Sequence, residues 1–265
     1  MAVGWIISNE PFMKELAGYA DFLKMRYSWG KIGSDNNIPR WLYVTQWKTR
    51  TNDAKLGYPN ATVPPFQSFE VTNIGNPDAK WETAVKNDIA LEGAFLNNKL
   101  SFNFDYFWGK RDDIFMSASQ RNIPPWFGAD PVAANIGKTK ERGWELELKY
   151  RDKTSFNLNY YATAAVSYAK DEVVYAEDPF LLPDYQKKEG HQIGQTFSYL
   201  NDKVITSWDD MYTGVMWLEN PQAVPGMYRF IDYNGDGYID GDDYAPYGYP
   251  DHPQYSFNFT VGGDY

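Results

Sequence analysis

The sequence has 265 residues, no cysteine and a formal net charge of −10, which allow one large or two small domains but no disulfide and no thiolate metal site. The acidic charge argues against a nucleic-acid partner, because phosphate binding needs clustered Lys and Arg side chains. No apolar run reaches the roughly 18 residues of a transmembrane helix, although aromatic residues make up 18% of the chain.

The first predicted element is a short helix over 9–20. Asn9 is a suitable cap, Pro11 stands in the first turn, and Gly18 is a suitable stop. The start of the chain also lacks the basic and long apolar regions of a signal peptide.

Alternation of apolar and polar residues predicts long strands downstream of this helix. In the clearest strand, 99–109, the side chains of Leu100, Phe102, Phe104, Tyr106 and Trp108 point one way and the polar ones point the other. Six strands are predicted in this way: 21–30, 80–96, 99–109, 138–150, 155–169 and 254–264. The stretch 40–48 is predicted to form a further local strand.

These strands are longer than the usual five or six residues, and their apolar faces are aromatic toward the ends. Transmembrane β-strands need about 9–11 residues and carry aromatic girdles at both membrane interfaces. A soluble antiparallel sheet with one wet face is the alternative, since it also alternates. The pattern favours the membrane strand over the soluble one.

The connections between the predicted strands alternate in length. Short links follow residues 96 and 150, whereas long ones occupy about 31–79, 110–137 and 170–253. Outer-membrane barrels have short periplasmic turns and long extracellular loops. The sequence therefore predicts an all-β fold, an antiparallel transmembrane β-barrel, with the three long connections outside and 9–20 on the periplasmic side.

A calcium-type loop lies in the last long connection, in "DYNGDGYIDGDD" at 232–243. Calcium takes six to eight oxygen ligands, and a twelve-residue loop supplies them at positions 1, 3, 5, 7, 9 and 12. Gly237 stands at position six, where the loop turns sharply, but the flanking residues cannot form the two helices of an EF-hand. The alternative is a solvated acidic turn. The predicted structural Ca²⁺ ligands are Asp232, Asn234, Asp236, the carbonyl of Tyr238, Asp240 and Asp243.

Four stretches in order resemble one family. They are "LKMRYSWGKIGSDNN" at 23–37, "NPDAKWET" at 76–83, "NIGKTKERGWELELKYR" at 135–151 and the calcium-type loop. Together they resemble the C-terminal half of SusC/RagA-type TonB-linked outer-membrane transporters of Bacteroidota. The resemblance implies a 22-stranded barrel in outer-membrane lipid with an N-terminal plug. It also implies a SusD-like surface lipoprotein as partner, TonB as the energy source, and a glycan or peptide as substrate.

The sequence contains no plug, no TonB-contacting motif and no signal peptide of such a transporter. About seven membrane strands are expected, about a third of the barrel that the resemblance implies. We therefore expect residues 1–265 to be a portion of the barrel domain, with TonB contacted through an N-terminal part outside this sequence.

Polar strand residues are expected to line the lumen of the barrel. They are Asp88, Glu92, Ser101, Asn103, Asp105, Glu145, Glu147, Asn157 and Asn159. Five rings in the long connections are candidates for stacking on a sugar or packing against the lipoprotein, with plain loop packing as the alternative. These rings are Trp126, Phe127, Trp208, Tyr212 and Trp217.

Two other kinds of protein share some of these features. A secreted carbohydrate-binding β-sandwich with a structural calcium site has the aromatic residues and the metal loop. A glycoside hydrolase needs paired carboxylates, but Asp209 and Asp210 are adjacent, as are Asp242 and Asp243, and neighbours on a strand point to opposite faces. The sequence therefore predicts a transporter rather than an enzyme.

Overall fold

The computed structural model describes residues 1–16, 20–36, 38–54, 66–124, 131–218 and 223–265. Strands dominate it. Eight of them precede residue 176: β1 Ala2–Ile6, β2 Ala20–Ser34, β3 Gln46–Ala54, β4 Phe66–Asn73, β5 Glu82–Phe95, β6 Leu100–Met116, β7 Ala134–Lys153 and β8 Asn159–Tyr175. Seven follow: β9 Phe197–Tyr199, β10 Asn201–Val204, β11 Met216–Trp217, β12 Tyr228–Phe230, β13 Tyr238–Ile239, β14 Tyr244–Pro246 and β15 Tyr255–Asp264.

Seven of these strands form one antiparallel sheet in the order β1-β2-β5-β6-β7-β8-β15. Strands that are adjacent in the sheet follow one another in the chain once the strands within the long connections are left out. A short turn places each returning strand beside the one before it. The turn between β5 and β6 shows how: Leu96, Asn97 and Asn98 all have φ near +60°, a conformation that Asn tolerates better than most residues. All six predicted long strands are present.

The two faces of this sheet differ as the alternation predicts. One register row runs Tyr27, Ile89, Tyr106, Trp144, Tyr168 and Tyr255 across six strands. These side chains stand on the outside of the sheet, and Tyr106 is 39% exposed while Phe257, two positions beyond Tyr255, is 86% exposed. On the other face Asp105 is only 8% exposed. The sheet therefore exposes rings on one face and buries Asp105 on the other, the reverse of a soluble fold.

Three predicted details are wrong, and one strand was missed. The strand predicted over 155–169 begins at Asn159, because a turn closes where the Thr154 amide donates to the Leu158 carbonyl. Asn157 lies in that turn with φ +70°, so it is not a strand residue of the polar face. The local strand begins at Gln46 rather than 40 and pairs with β4. Strand β1 was not predicted at all.

The helix predicted over 9–20 is a 3-10 helix, Pro11–Leu16, preceded by a second one at Ile7–Asn9. Asn9 therefore ends one helix instead of capping the next, and Gly18 lies outside the described residues. A further 3-10 helix covers Ala118–Gln120. None of the helices in the described ranges is long and apolar enough to cross a bilayer.

The connection between β8 and β15 is folded. Its strand pairs are β9 with β14, β10 with β12, and β11 parallel to β13. It also holds the helix α1, Trp208–Tyr212, whose cap Ser207 accepts a hydrogen bond from the Asp210 amide at 3.2 Å, and the 3-10 helix Gly241–Asp243. Its core contains Ile205, Ile239 and Ala245, and Ile239 is 1% exposed.

Candidate functional site

The polar face of the sheet carries a compact charge network around Arg26. Arg26 contacts three carboxylates: Nη1 lies 3.3 Å from Asp88, Nε lies 2.9 Å from Glu92, and Nη2 contacts Asp105. Lys24 adds a second contact to Glu92 at 3.4 Å. Three strands, β2, β5 and β6, thus supply one network, and it holds more negative than positive groups.

A hollow of about 520 Å³ opens beside this network. Asp105 and Glu145 line it, together with Asn103, whose Nδ2 donates to Asp105 at 2.6 Å. Glu147 lies on the same face next along β7 and pairs with Lys149 at 2.8 Å. The structure therefore gathers most of the predicted lumen residues on one polar face with an acidic balance.

The opposite face has a wide band without charge. On β7 the outward positions between Arg142 and Asp152 hold Trp144, Leu146, Leu148 and Tyr150. Arg142 and Asp152 stand about ten positions apart, roughly 33 Å of extended strand. A tilt of about 40° reduces this to about 25 Å along the membrane normal, which is the height of the apolar band of an outer-membrane barrel.

Two long connections are joined where they leave the sheet. Asn76 Nδ2 donates to the Ala133 carbonyl at 3.0 Å, and Asn135 Oδ1 accepts from the Lys80 amide at 3.1 Å. Asn135 Nδ2 donates in turn to the Asp113 carbonyl at 3.1 Å. Asn76 and Asn135 belong to the stretches "NPDAKWET" and "NIGKTKERG", so those motifs have a structural role that the sequence did not reveal.

A partly buried ion pair joins the second and third long connections. Two guanidinium nitrogens of Arg121 donate hydrogen bonds to the Glu177 carboxylate, Nε to Oε2 at 2.5 Å and Nη2 to Oε1 at 2.9 Å. Asn122 Nδ2 donates to the Glu177 carbonyl at 2.6 Å. The bidentate geometry fixes the two connections in both distance and orientation, and the hydrogen bonds that Arg121 donates to Glu177 raise the pKa of Arg121.

The rings predicted to contact a ligand fall into three groups. Trp217 lies within the folded connection and packs edge-on against Phe230, with ring centres 4.8 Å apart. Tyr212 is 76% exposed and, with Trp217, lines a cavity of about 320 Å³. Trp208 is exposed on the same helix. Trp126 and Phe127 lie outside the described residues.

The backbone of the calcium-type loop is held by hydrogen bonds to the Asp232 carboxylate. Its Oδ1 accepts from the amides of Gly235 at 2.6 Å and Asp236 at 3.1 Å, and its Oδ2 accepts from the Gly237 amide at 2.8 Å. Gly235 and Gly237 have φ of +77° and +93°. That backbone favours glycine, which explains the glycine at position six.

Asp243 closes the same loop from its far end. Its side chain is fully buried, Oδ1 accepts from the Tyr233 amide at 2.5 Å, and Oδ2 accepts from the Asp240 amide at 2.9 Å. Tyr185 packs on Tyr233 with ring centres 4.8 Å apart. Burial, with Asp242 and Asp243 nearby, raises the pKa of Tyr185.

The donor chemistry of this loop fits a hard cation. Carboxylate and amide oxygens occupy the predicted ligand positions, and a carboxylate oxygen that accepts one amide hydrogen bond keeps a lone pair. Two of these oxygens also accept hydrogen bonds from backbone amides: Asn234 Oδ1 accepts from Asp236, and Asp240 Oδ1 accepts from Asp242. Across the described ranges no three His, Asp or Glu side chains are gathered in a metal-holding cluster.

Charged pairs support the remainder of the folded connection. Arg229 Nε donates to Asp202 Oδ1 at 3.0 Å, and Lys203 Nζ lies 2.5 Å from Asp210. The hydrogen bond from Arg229 holds the pKa of Asp202 below its usual range, and the one from Lys203 does the same for Asp210. Both carboxylates are therefore charged at neutral pH.

Comparisons with known proteins agree with this architecture. The sequence model of the family described as "TonB dependent receptor-like, beta-barrel" matches residues 19–265. Among curated proteins, the TonB-dependent receptor P26 of Formosa agariphila is 27% identical over 260 residues, which are 94% of this chain and 25% of that protein. The TonB-dependent receptor SusC of Bacteroides thetaiotaomicron is 25% identical over 251 residues, 92% of this chain and 24% of SusC.

A solved structure shares the fold. The RagAB peptide importer in the "open-open" state superposes with a TM-score of 0.69 at 18% identity, over 100% of this chain and 27% of that chain. This chain thus spans about a quarter of the length of the relatives it matches. TonB-dependent receptors are β-barrels of the outer membrane, so the prediction of a partial antiparallel transmembrane barrel is confirmed over the alternative of a secreted β-sandwich. The chain belongs to the TonB-dependent receptor family and forms part of its β-barrel.

Proposed function

We propose that this chain is part of the wall of an outer-membrane transporter that imports oligomeric nutrients, glycans or peptides, with energy from TonB. The observation that carries the proposal is the inverted sheet, with rings exposed on one face and the Arg26 network on the other. One face suits lipid and the other suits a wet passage. Similarity to SusC and to the RagAB peptide importer supports the class of activity.

The proposed partners follow from the same similarity. A SusD-like lipoprotein would cover the side on which the long connections lie, and TonB would act through an N-terminal part outside this sequence. Trp208 and Tyr212 are exposed on α1 and are available to a substrate or to the lipoprotein. Trp217 is packed against Phe230, so we assign it to loop packing.

Uptake by cells that carry the whole gene tests this function. A strain lacking the gene is complemented with the full-length transporter, and the uptake of labelled oligosaccharide and oligopeptide pools is measured. We expect one pool to enter only when both the gene and an active TonB system are present. Equal uptake of every pool without the gene contradicts the proposal.

We also propose that the loop 232–243 binds a structural Ca²⁺. The proposed ligands are Asp232, Asn234, Asp236, the carbonyl of Tyr238, Asp240 and Asp243. The buried Asp243 also holds the two ends of the loop together, which supports the proposal. Sites of this kind in extracellular modules bind at roughly 10⁻⁴–10⁻³ M. At millimolar Ca²⁺ such a site adds about 1 kcal/mol to the stability of the folded connection.

Proteolysis of the connection tests the calcium proposal. Wild-type transporter is digested with and without 2–5 mM Ca²⁺, roughly the concentration at which such a site fills, and cleavage between 176 and 254 is followed by mass spectrometry. We expect Ca²⁺ to slow cleavage about fivefold, since about 1 kcal/mol corresponds to that factor. Asp232→Asn with Asp236→Asn should abolish the protection, while Asp184→Asn, in the same connection, should keep it. Protection that survives the double substitution contradicts the site.

A further inference from the structure

A basic strip lies on the outward face of the sheet, directly above its aromatic girdle. The register places Trp108 beside Arg142 and Arg142 beside Lys170 in one row, and Lys110 beside Lys140 in the next row toward the long connections. The row below contains Tyr106, Trp144 and Tyr168. The cations therefore begin where the apolar band ends.

A hollow of about 400 Å³ opens at this place between β6, β7 and β8. Tyr106 and Trp108 line one side of it, and Lys140, Arg142 and Lys170 line the other. Its one outward-facing carboxylate, Glu172, pairs with Lys140 at 2.7 Å. Glu141 and Asp171 also border the hollow, but the register places both on the polar face, where Glu141 lies 3.5 Å from Lys86 and Asp171 accepts a hydrogen bond from the Ile193 amide at 3.2 Å. Within the described residues neither Arg142 nor Lys170 forms an ion pair, so two outward-facing cations beside two rings have no partner in the protein.

The other end of the outward face is built differently. There Lys99 lies 2.9 Å from Asp152, and the Tyr150 hydroxyl donates to the same carboxylate at 3.2 Å. That cation is neutralised within the protein, and the Asp152 hydrogen bond raises the pKa of Lys99. An unpaired Arg and Lys on a lipid-facing surface at one end only indicate an external anion at that end, since guanidinium and ammonium groups at a membrane interface bind anionic head groups.

We infer that Arg142 and Lys170 clamp a phosphate of the glycolipid in the outer membrane leaflet, namely lipid A. Arg142 offers a planar fork to two phosphate oxygens and Lys170 offers a point charge. The rings of Tyr106 and Trp108 contact the boundary between its sugar and acyl chains, where such amphipathic side chains prefer to lie. The inference rests on the proposed orientation, in which the long connections face the outside.

Lipid binding to the full-length transporter in detergent tests this site. Lipid A, the same lipid A with its phosphate removed, phosphatidylglycerol and inorganic phosphate are titrated separately, and bound lipid is counted by native mass spectrometry. Each basic side chain near an anionic surface changes binding about fivefold, so Arg142→Gln with Lys170→Gln should weaken lipid A binding about thirtyfold. Lys86→Gln is the matched control, because Lys86 lies about level with these residues but faces the polar side, where it pairs with Glu141 at 3.5 Å.

Each result has a defined meaning. Dephosphorylated lipid A should bind the wild-type protein as weakly as lipid A binds the double variant, and this arm needs no variant that folds. Equal binding of phosphatidylglycerol, competition by inorganic phosphate at equal concentration, or unchanged binding to the double variant overturns the inference. Nutrient uptake is measured on the same variants. Loss of the bound lipid with normal uptake supports the lipid site and leaves the transport proposal unaffected. Failure of uptake in the wild type contradicts the proposed transport and leaves the lipid site unaffected.

Discussion

The sheet and the folded connection use the same aromatic residues in opposite ways. In the sheet, rings such as Tyr106 and Phe257 stand exposed on one face. In the connection, the rings of Tyr199, Trp217 and Phe230 pack against one another with centres 4.8 to 6.0 Å apart, and Ile239 and Ala245 are buried in the same connection. Burial of apolar surface away from water stabilises the second arrangement, whereas lipid must cover the first. Aromatic content alone therefore does not distinguish a membrane wall from a water-soluble core, but the period of the pattern does.

The sharpest test of this difference is a cavity in the core of the connection. Ile239→Ala should destabilise the folded connection by about 2–5 kcal/mol, because a side chain that is 1% exposed is lost from a packed core. A fluorophore on a cysteine introduced at Tyr249 reports the urea midpoint of the connection. Val204→Ala, at an exposed position on β10, should change it little. Equal effects of the two substitutions contradict a core at Ile239.

Adjacent alanines on β8 test the two faces of the wall at one height. Ala164 pairs with Leu148 on the lipid side, and Ala165 pairs with Glu147 on the polar side. Ala164→Arg should cost about 2–4 kcal/mol near the middle of the bilayer, while Ala165→Arg, beside a carboxylate, should cost far less. Unfolding in vesicles measures both. A larger loss at Ala165 reverses the assignment of the faces.

Glycine in the wall gives a smaller effect of a different kind. A methyl group on Gly143 would collide with the Phe107 ring and with the backbone carbonyl of Tyr168. Gly143→Ala should cost on the order of 1–3 kcal/mol, since a well-packed site cannot accept the added atom. Gly30→Ala meets no atom within 4 Å and is the matched control. The urea midpoint of the barrel separates them, and an unaffected Gly143→Ala disproves the close contact.

Acid should have the mildest effect on the connection. The pKa values of Asp202 and Asp210 are lowered in the folded state by Arg229 and Lys203. Their contribution is complete above the unfolded pKa of about 4 and is lost as pH falls through the folded values. The urea midpoint reported from Tyr249 should therefore drop below pH 4. Arg229→Gln with Lys203→Gln should flatten this dependence, and an unchanged slope would exclude these pairs as its source.

The long strands could be predicted because each one shows the alternation of apolar and polar residues within its own sequence. On β6 every second residue from Leu100 to Trp108 is apolar, and one strand suffices to show it. Strand β1 has five residues, too few to establish a period. The Thr154–Leu158 turn was missed because Phe156 and Leu158 continue the alternation beyond the end of the strand. Alternation in the sequence therefore predicts which face of the sheet each residue lies on, but it does not predict where a strand begins or ends.

The contacts between connections could not be predicted, for a different reason. Asn76 and Ala133 are 57 residues apart in sequence. Tyr199 and Tyr244 pack on each other although the whole calcium-type loop separates them in sequence. Such pairs leave no local period in the sequence. The residues of that loop, by contrast, follow a local spacing, and the structure explains two of them: the positive φ of the turn residue Gly237 and the amide contacts of Asp232.

The Asn76 and Arg121 contacts have a consequence for how the surface of this protein can be exchanged. Each connection carries one half of a hydrogen-bonded joint whose other half is on its neighbour. A chimera that takes a single connection from a relative would leave the Ala133 carbonyl or the Glu177 carboxylate without its hydrogen-bond partner on the neighbouring connection. Grafts should therefore succeed when 31–79, 110–137 and 170–253 move together, which makes the three connections one inheritable module.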